Sequence, residues 1–156
     1  MGGSEKRMQD AIQENRTNDV RLRPFYDEEL FKAISRNSGS ESASRDAAYI
    51  RTARHWGGNK FISEAIGDFA FFIGTAGKKH FRLIEIAVRK DQQHKGYGTL
   101  MMKRIIRLCR KRKLEKITLR TSRNETAVDF YRRFGGEITG INGDDYEMEI
   151  RVCFTS

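Results

Sequence analysis

The stretch Ile84-Glu85-Ile86-Ala87-Val88-Arg89-Lys90-Asp91-Gln92-Gln93-His94-Lys95-Gly96-Tyr97-Gly98-Thr99 joins an apolar segment to a helix through a glycine-containing loop. Alternation from Phe81 to Arg89 reads as a strand, with Leu83, Glu85 and Ala87 facing one way and Ile84, Ile86 and Val88 the other. After the loop, Met101, Ile105, Leu108 and Arg112 recur at helical spacing with Met102, Ile106 and Cys109 beside them, so a helix is expected from about Thr99 to Lys113. A strand running through such a loop into a helix points to an anion site. The first N–H groups of a helix lack intrahelical acceptors, and the helix dipole puts partial positive charge there. Glycine allows positive φ and close backbone approach, and Lys95 adds charge. The arrangement suits a diphosphate on a small ligand. Met101 stands where a dinucleotide fingerprint has its third glycine, and the Gly-Lys-Ser/Thr of a P-loop is missing.

Downstream, Ile117 to Thr121 reads as a strand, and Ser122-Arg123-Asn124-Glu125 as a capping box. The short helix that follows has Ala127, Val128, Tyr131 and Phe134 on its apolar side and ends at Gly135-Gly136. Two last strands flank Asn142-Gly143-Asp144-Asp145. Upstream, Phe69 to Ile73 reads as a strand closed by the turn signal Gly74-Thr75-Ala76-Gly77, and residues 59–66 fit helix or strand equally. A helical stretch runs from about Glu41 to His55. Before it, Asp27-Glu28-Glu29 opens a helix carrying Leu30, Phe31 and Ile34, and Val20 to Arg23 alternates like a strand until Pro24. The polar residues 1–18 read as a flexible N-terminal arm, and 19–156 as a single domain. Strands alternating with helices predict an α/β fold.

Composition narrows the classes. A chain of 156 residues with 38% apolar and 33% charged side chains has the mixture of an ordinary globular domain. Cys109 and Cys153 cannot make a disulfide framework, and no Cys/His cluster offers a metal cage. The longest apolar run, Phe69 to Ile73, is far short of the ~20 residues that cross a bilayer, and the polar N-terminus does not resemble a signal peptide. These features predict a cytoplasmic protein without membrane contact.

Two segments together resemble the GNAT superfamily of N-acetyltransferases. Ile84 to Val88 followed by Gln93-x-x-Gly96-x-Gly98 is similar to that family's acetyl-coenzyme A signature. Asn124-Glu125-Thr126-Ala127-Val128-Asp129-Phe130-Tyr131-Arg132-Arg133-Phe134-Gly135 is similar to its downstream motif. The resemblance implies a GNAT-like fold, a mixed and largely antiparallel sheet flanked by helices. It implies that acetyl-CoA is the cofactor, with its pyrophosphate cradled by the backbone of Gln93, His94, Lys95, Gly96, Tyr97, Gly98 and Thr99. Backbone of Ile86, Ala87 and Val88 would guide the pantetheine arm, with Asn124 beside it. Tyr131 would protonate the departing thiolate. The implied reaction is direct attack of a primary amine on the thioester in a ternary complex. Glu85 is the candidate base, and a backbone N–H near Val88 would polarise the carbonyl. No metal is required, and a homodimer is the family analogy.

Each assignment has a plainer alternative. His94 fits an exposed loop residue, Tyr131 a core aromatic, Asn124 a helix cap, and Glu85 a salt-bridge partner. Where the family usually has an aromatic or large apolar residue after Gly135, this chain has Gly136. Positive charge is concentrated late: residues 1–80 hold 13 basic and 11 acidic side chains, residues 81–156 hold 17 and 10. The densest run is Lys103, Arg104, Arg107, Arg110, Lys111, Arg112 and Lys113. It reads as a solvated helix face or as contact with a nucleic-acid-containing acceptor. The acceptor is a small-molecule or protein amine, or an amine borne on nucleic acid. A binding module without catalysis is the non-enzymatic alternative.

Overall fold

The computed structural model describes residues 21–39 and 60–153. The expected arm over 1–18 and helix over 41–55 lie outside them. Strand β1 is Arg23–Pro24, helix α1 Glu28–Arg36, and strands β2, β3 and β4 are Lys60–Ile66, Ala70–Ala76 and His80–Val88. A 3-10 turn at Lys90–Gln92 precedes α2, Tyr97–Lys111. Then follow β5 Lys116–Ser122, α3 Glu125–Arg132, β6 Glu137–Asn142 and β7 Asp145–Arg151. The strands form one sheet in the order β1-β2-β3-β4-β5-β7-β6, antiparallel throughout except for β4 beside β5.

The ambiguous residues 60–66 are therefore strand, paired along their whole length with β3. Register settles what periodicity left open. Pro24 is the last residue of β1 rather than the break after it, and Arg21 and Leu22, expected in the strand, precede it; an edge strand permits the proline because its missing N–H interrupts no interior ladder. Gly74 and Thr75 belong to β3, not to a turn. A Cβ on Gly74 would sit 2.3 Å from a ring carbon of Phe81, so this glycine makes room for a core ring across the strand pair. The turn comes after Ala76, where Gly77 N–H donates to His80 O at 2.9 Å.

Helices cover both faces. On one, α2 and α3 bury Met101, Met102, Ile105, Leu108, Val128 and Tyr131 against Ile62, Phe72, Phe81, Leu83, Ile117, Leu119 and Met148. On the other, α1 buries Phe31 and Ile34 against Ala65, Phe71, Ile73 and Ala87. The Phe31 and Phe71 rings stack there at 4.1 Å. The α1 helix starts as its acids predict, with Asp27 accepting from Leu30 N–H at 3.1 Å. Arg104 reaches from α2 to Glu64 on β2, at 2.9 and 3.1 Å, and this pins the helix to a carboxylate that is otherwise inside the core.

Candidate active site

The site begins with an irregularity in β4. Its register against β3 pairs Ile73 with Glu85 but Gly74 with Leu83, leaving Ile84 as the extra residue of a bulge. The bulge corrects the simple alternation. Leu83 packs under α2, whereas Glu85 lies opposite Ile73 and so faces α1 with Ala87. Pairing with β5 runs only from His80–Lys116 to Leu83–Leu119. Beyond it β4 continues to Val88 and β5 to Ser122, with no ladder between them. Ile86, Ala87 and Val88 thus hold β3 on one side and turn their other backbone edge toward a gap. Because the two strands are parallel, both carboxyl ends, and the loops after them, open at the same end of the sheet.

The loop after β4 is held in place by its own polar groups. Arg89 N–H donates to Phe69 O at 2.7 Å, and Lys90 N–H to Asn37 O at 2.8 Å. Gln93 Nε2 donates to Val88 O at 2.8 Å and to Ser38 O at 2.7 Å, so its side chain points inward and ties β4, the loop and the end of α1 together. Arg89 Nε donates to Asp91 Oδ1 at 2.6 Å, and this hydrogen bond holds the Asp91 carboxyl below its usual range. His94 and Gly96 take φ of 63° and 88°. Gly96 is the N-cap of α2 and brings no side-chain acceptor to the first turn. Leu100 N–H is the first to bond back into the helix, onto Gly96 O at 3.0 Å, so the N–H groups of Tyr97, Gly98 and Thr99 precede the ladder. Nothing lies within 4 Å of a Cβ built on Gly96, so that glycine is needed for φ rather than for space.

The remaining residues group around this loop. His94 and Lys95 are exposed, and Lys95 Nζ donates to Gln92 Oε1 at 3.2 Å. The Tyr97 side chain is buried against Phe69, with centroids 4.9 Å apart, which leaves only its backbone facing the loop. Gly98 allows α3 to approach, since a Cβ there would meet the Phe130 ring at 3.2 Å. Tyr131, next to Phe130, is 8% exposed within the α2/α3 core. Asn124 caps α3, its Oδ1 accepting from Thr126 N–H at 2.8 Å. The capping residue is therefore Asn124 and not Ser122, which ends β5 instead. Glu85, also 8% exposed, comes to the gap from the α1 face, opposite to the face that buries Tyr131. Sequence reading missed the carbonyls of Asn37 and Ser38, because contacts across some fifty residues leave no local pattern.

An extended backbone edge beside a strand gap, leading into a rigid loop with outward N–H groups, can take an extended ligand ending in a diphosphate. Solved structures share this architecture. The PaiA N-acetyltransferase from Thermoplasma acidophilum, in complex with coenzyme A, is 17% identical over 84% of this chain and 98% of its own, with TM-score 0.65. The ribosomal-protein-S18-alanine N-acetyltransferase from Escherichia coli is 18% identical over 87% and 96%, with TM-score 0.64. A GNAT family acetyltransferase from Elizabethkingia anophelis with acetyl-CoA bound is 12% identical over 86% and 99%, with TM-score 0.63. Among curated proteins none matches the chain. The family model described as Acetyltransferase (GNAT) family matches residues 14–136, most of the chain, and the protein belongs to that family.

Proposed function

We propose that this protein transfers the acetyl group of acetyl-CoA to a primary amine by direct attack in a ternary complex. The observation that carries the reading is the end of β4–β5 pairing at Leu83, which leaves β4 unpaired on that side up to Val88, followed by a loop whose backbone N–H groups open a 15-residue helix. The family supports it, as do the coenzyme A and acetyl-CoA bound to the neighbours above. The free edge of Ile86 to Val88 guides the pantetheine arm as an added strand would. The backbone of Gln93 to Thr99 holds the pyrophosphate, and Asn124 borders the gap from the β5 side. Acetyl-CoA supplies an activated thioester. The chain supplies orientation and proton management: Glu85 accepts the amine proton, directly or through water, and Tyr131 donates to the departing sulfur.

Calorimetric titration with acetyl-CoA and free coenzyme A tests the site. Near-stoichiometric binding with Kd on the order of micromolar is expected. With an accepted amine, Tyr131→Phe should lower turnover by about 10²-fold or more while coenzyme A affinity stays nearly constant. A folded sample that binds neither ligand would overturn the assignment, and full turnover by Tyr131→Phe would remove that residue as the acid.

A further inference from the structure

The end of the molecule opposite the cofactor loop gathers cations from two distant parts of the chain. Glu115 N–H donates to Lys79 O at 2.6 Å, which holds the β3–β4 turn against the segment leaving α2. This brings exposed Lys78, Lys79 and His80 beside exposed Arg110, Lys111, Arg112 and Lys113. Lys103 and Arg107 continue the exposed surface up α2, a helix without a single acidic residue. Glu115 stands between the two runs. Arg104 and Lys116 do not count toward the surface, being paired with Glu64 and Glu149 at 2.9 Å each.

The helix dipole accounts for one or two cations in the last turn of α2, but not for lysines delivered by a turn some thirty residues earlier. Cofactor binding does not account for them either. From Tyr97 to Lys111 the helix rises about 20 Å, beyond the Debye length of about 8 Å at physiological salt. We propose that this basic end is a docking surface for the phosphate backbone of nucleic acid, separate from the acyl-transfer site. A membrane is disfavoured because, among the described residues, the exposed large apolar side chains Phe25, Ile138 and Ile141 lie on other elements, and Leu100 is a single such residue at the opposite end of α2 from Arg110 to Lys113. An acidic peptide is the competing polyanion, and the polyglutamate comparison below separates it from nucleic acid. Among the described residues the basic face carries no aromatic side chain, so those residues contact phosphates without stacking on bases.

The test is fluorescence anisotropy of a labelled RNA duplex of about 20 base pairs, with the full chain, across about 50 to 200 mM KCl. For about five neutralised phosphates, log K should fall against log[salt] with slope about −4 to −5. Lys78→Glu with Lys79→Glu should weaken binding by about tenfold or more and flatten that slope. Arg23→Glu on the far edge strand should change neither, and both variants should keep wild-type melting and coenzyme A binding. Salt-insensitive binding, undiminished binding by the turn variant, or equal affinity for phosphatidylserine vesicles or polyglutamate would overturn the proposal. Loss of coenzyme A binding alone would bear on the acyl-transfer reading and leave this one standing.

Discussion

At the scale of single residues, Gly136 explains how this chain accommodates its departure from the family pattern. Its N–H and that of Phe134 both donate to Tyr131 O at 3.0 Å, and a Cβ on Gly136 would lie 2.7 Å from the same oxygen. The chain turns tightly against the end of α3, and the turn grips the residue proposed as the acid. Gly135 makes this possible with φ of 85°. Gly136→Ala should therefore cost about 1–3 kcal/mol by overpacking against backbone that cannot yield. If displacement of Tyr131 follows, turnover falls more than coenzyme A affinity does. Chemical denaturation measures the first effect, and steady-state kinetics beside calorimetry the second. Cys109 is inert by contrast, since burial pushes its thiol up to about 12.

Among the elements, the loop between β4 and α2 owes its shape to Gln93. Its amide makes two hydrogen bonds to carbonyls on different elements, Val88 at the end of β4 and Ser38 after α1. At about 1 kcal/mol each, these are worth more to the loop than to the whole fold. Gln93→Met should weaken coenzyme A binding by about tenfold with little change in melting temperature, because the N–H array loses its common orientation. Gln93→Arg, which keeps a donor, should recover most of the affinity. Equal affinity in all three proteins would show that the loop holds its shape without this clamp. The bulge at Ile84 acts at the same scale. It presents Glu85 to the α1 face and lies where β4 parts from β5.

For the whole molecule, the polar half of the sheet is stitched across strands. Arg82 on β4 reaches over β5 to Glu147 on β7 at 2.9 and 3.3 Å, and Asn142 on β6 donates to the same carboxylate at 3.2 Å. Burial alone would push the Glu147 carboxyl up, but these hydrogen bonds and the Arg82 charge hold it below its ordinary value. A lowered folded pKa means that the unfolded chain binds the proton more readily. The stabilisation is complete above the unfolded pKa of about 4.3 and disappears as pH falls through the folded value. Glu147→Gln should cost about 1 kcal/mol at neutral pH, after allowance for partial solvent exposure, and should lessen the acid-side loss of stability. Melting curves from about pH 7 to pH 3 check both, and parallel curves for the two proteins would contradict the prediction.

Local chemistry determined much of this protein. The strand–loop–helix order, the glycine at the N-cap of α2, the acids opening α1 and the spacing of Asn124 from Tyr131 are short-range patterns, readable because φ preference, capping and periodicity act within a few residues. The family resemblance rested on the same segments. Tertiary structure alone decided which neighbour each strand took, and with it the strand state of residues 60–66 and the course of β3 through Gly74. It also decided that Glu85 and Leu83 part faces at a bulge, and that the Gln93 side chain turns inward to carbonyls rather than outward to a ligand. It brought Lys78 and Lys79 to the end of α2. These outcomes depend on register and on contacts between residues far apart in the chain, whose energies arise only once the sheet has assembled.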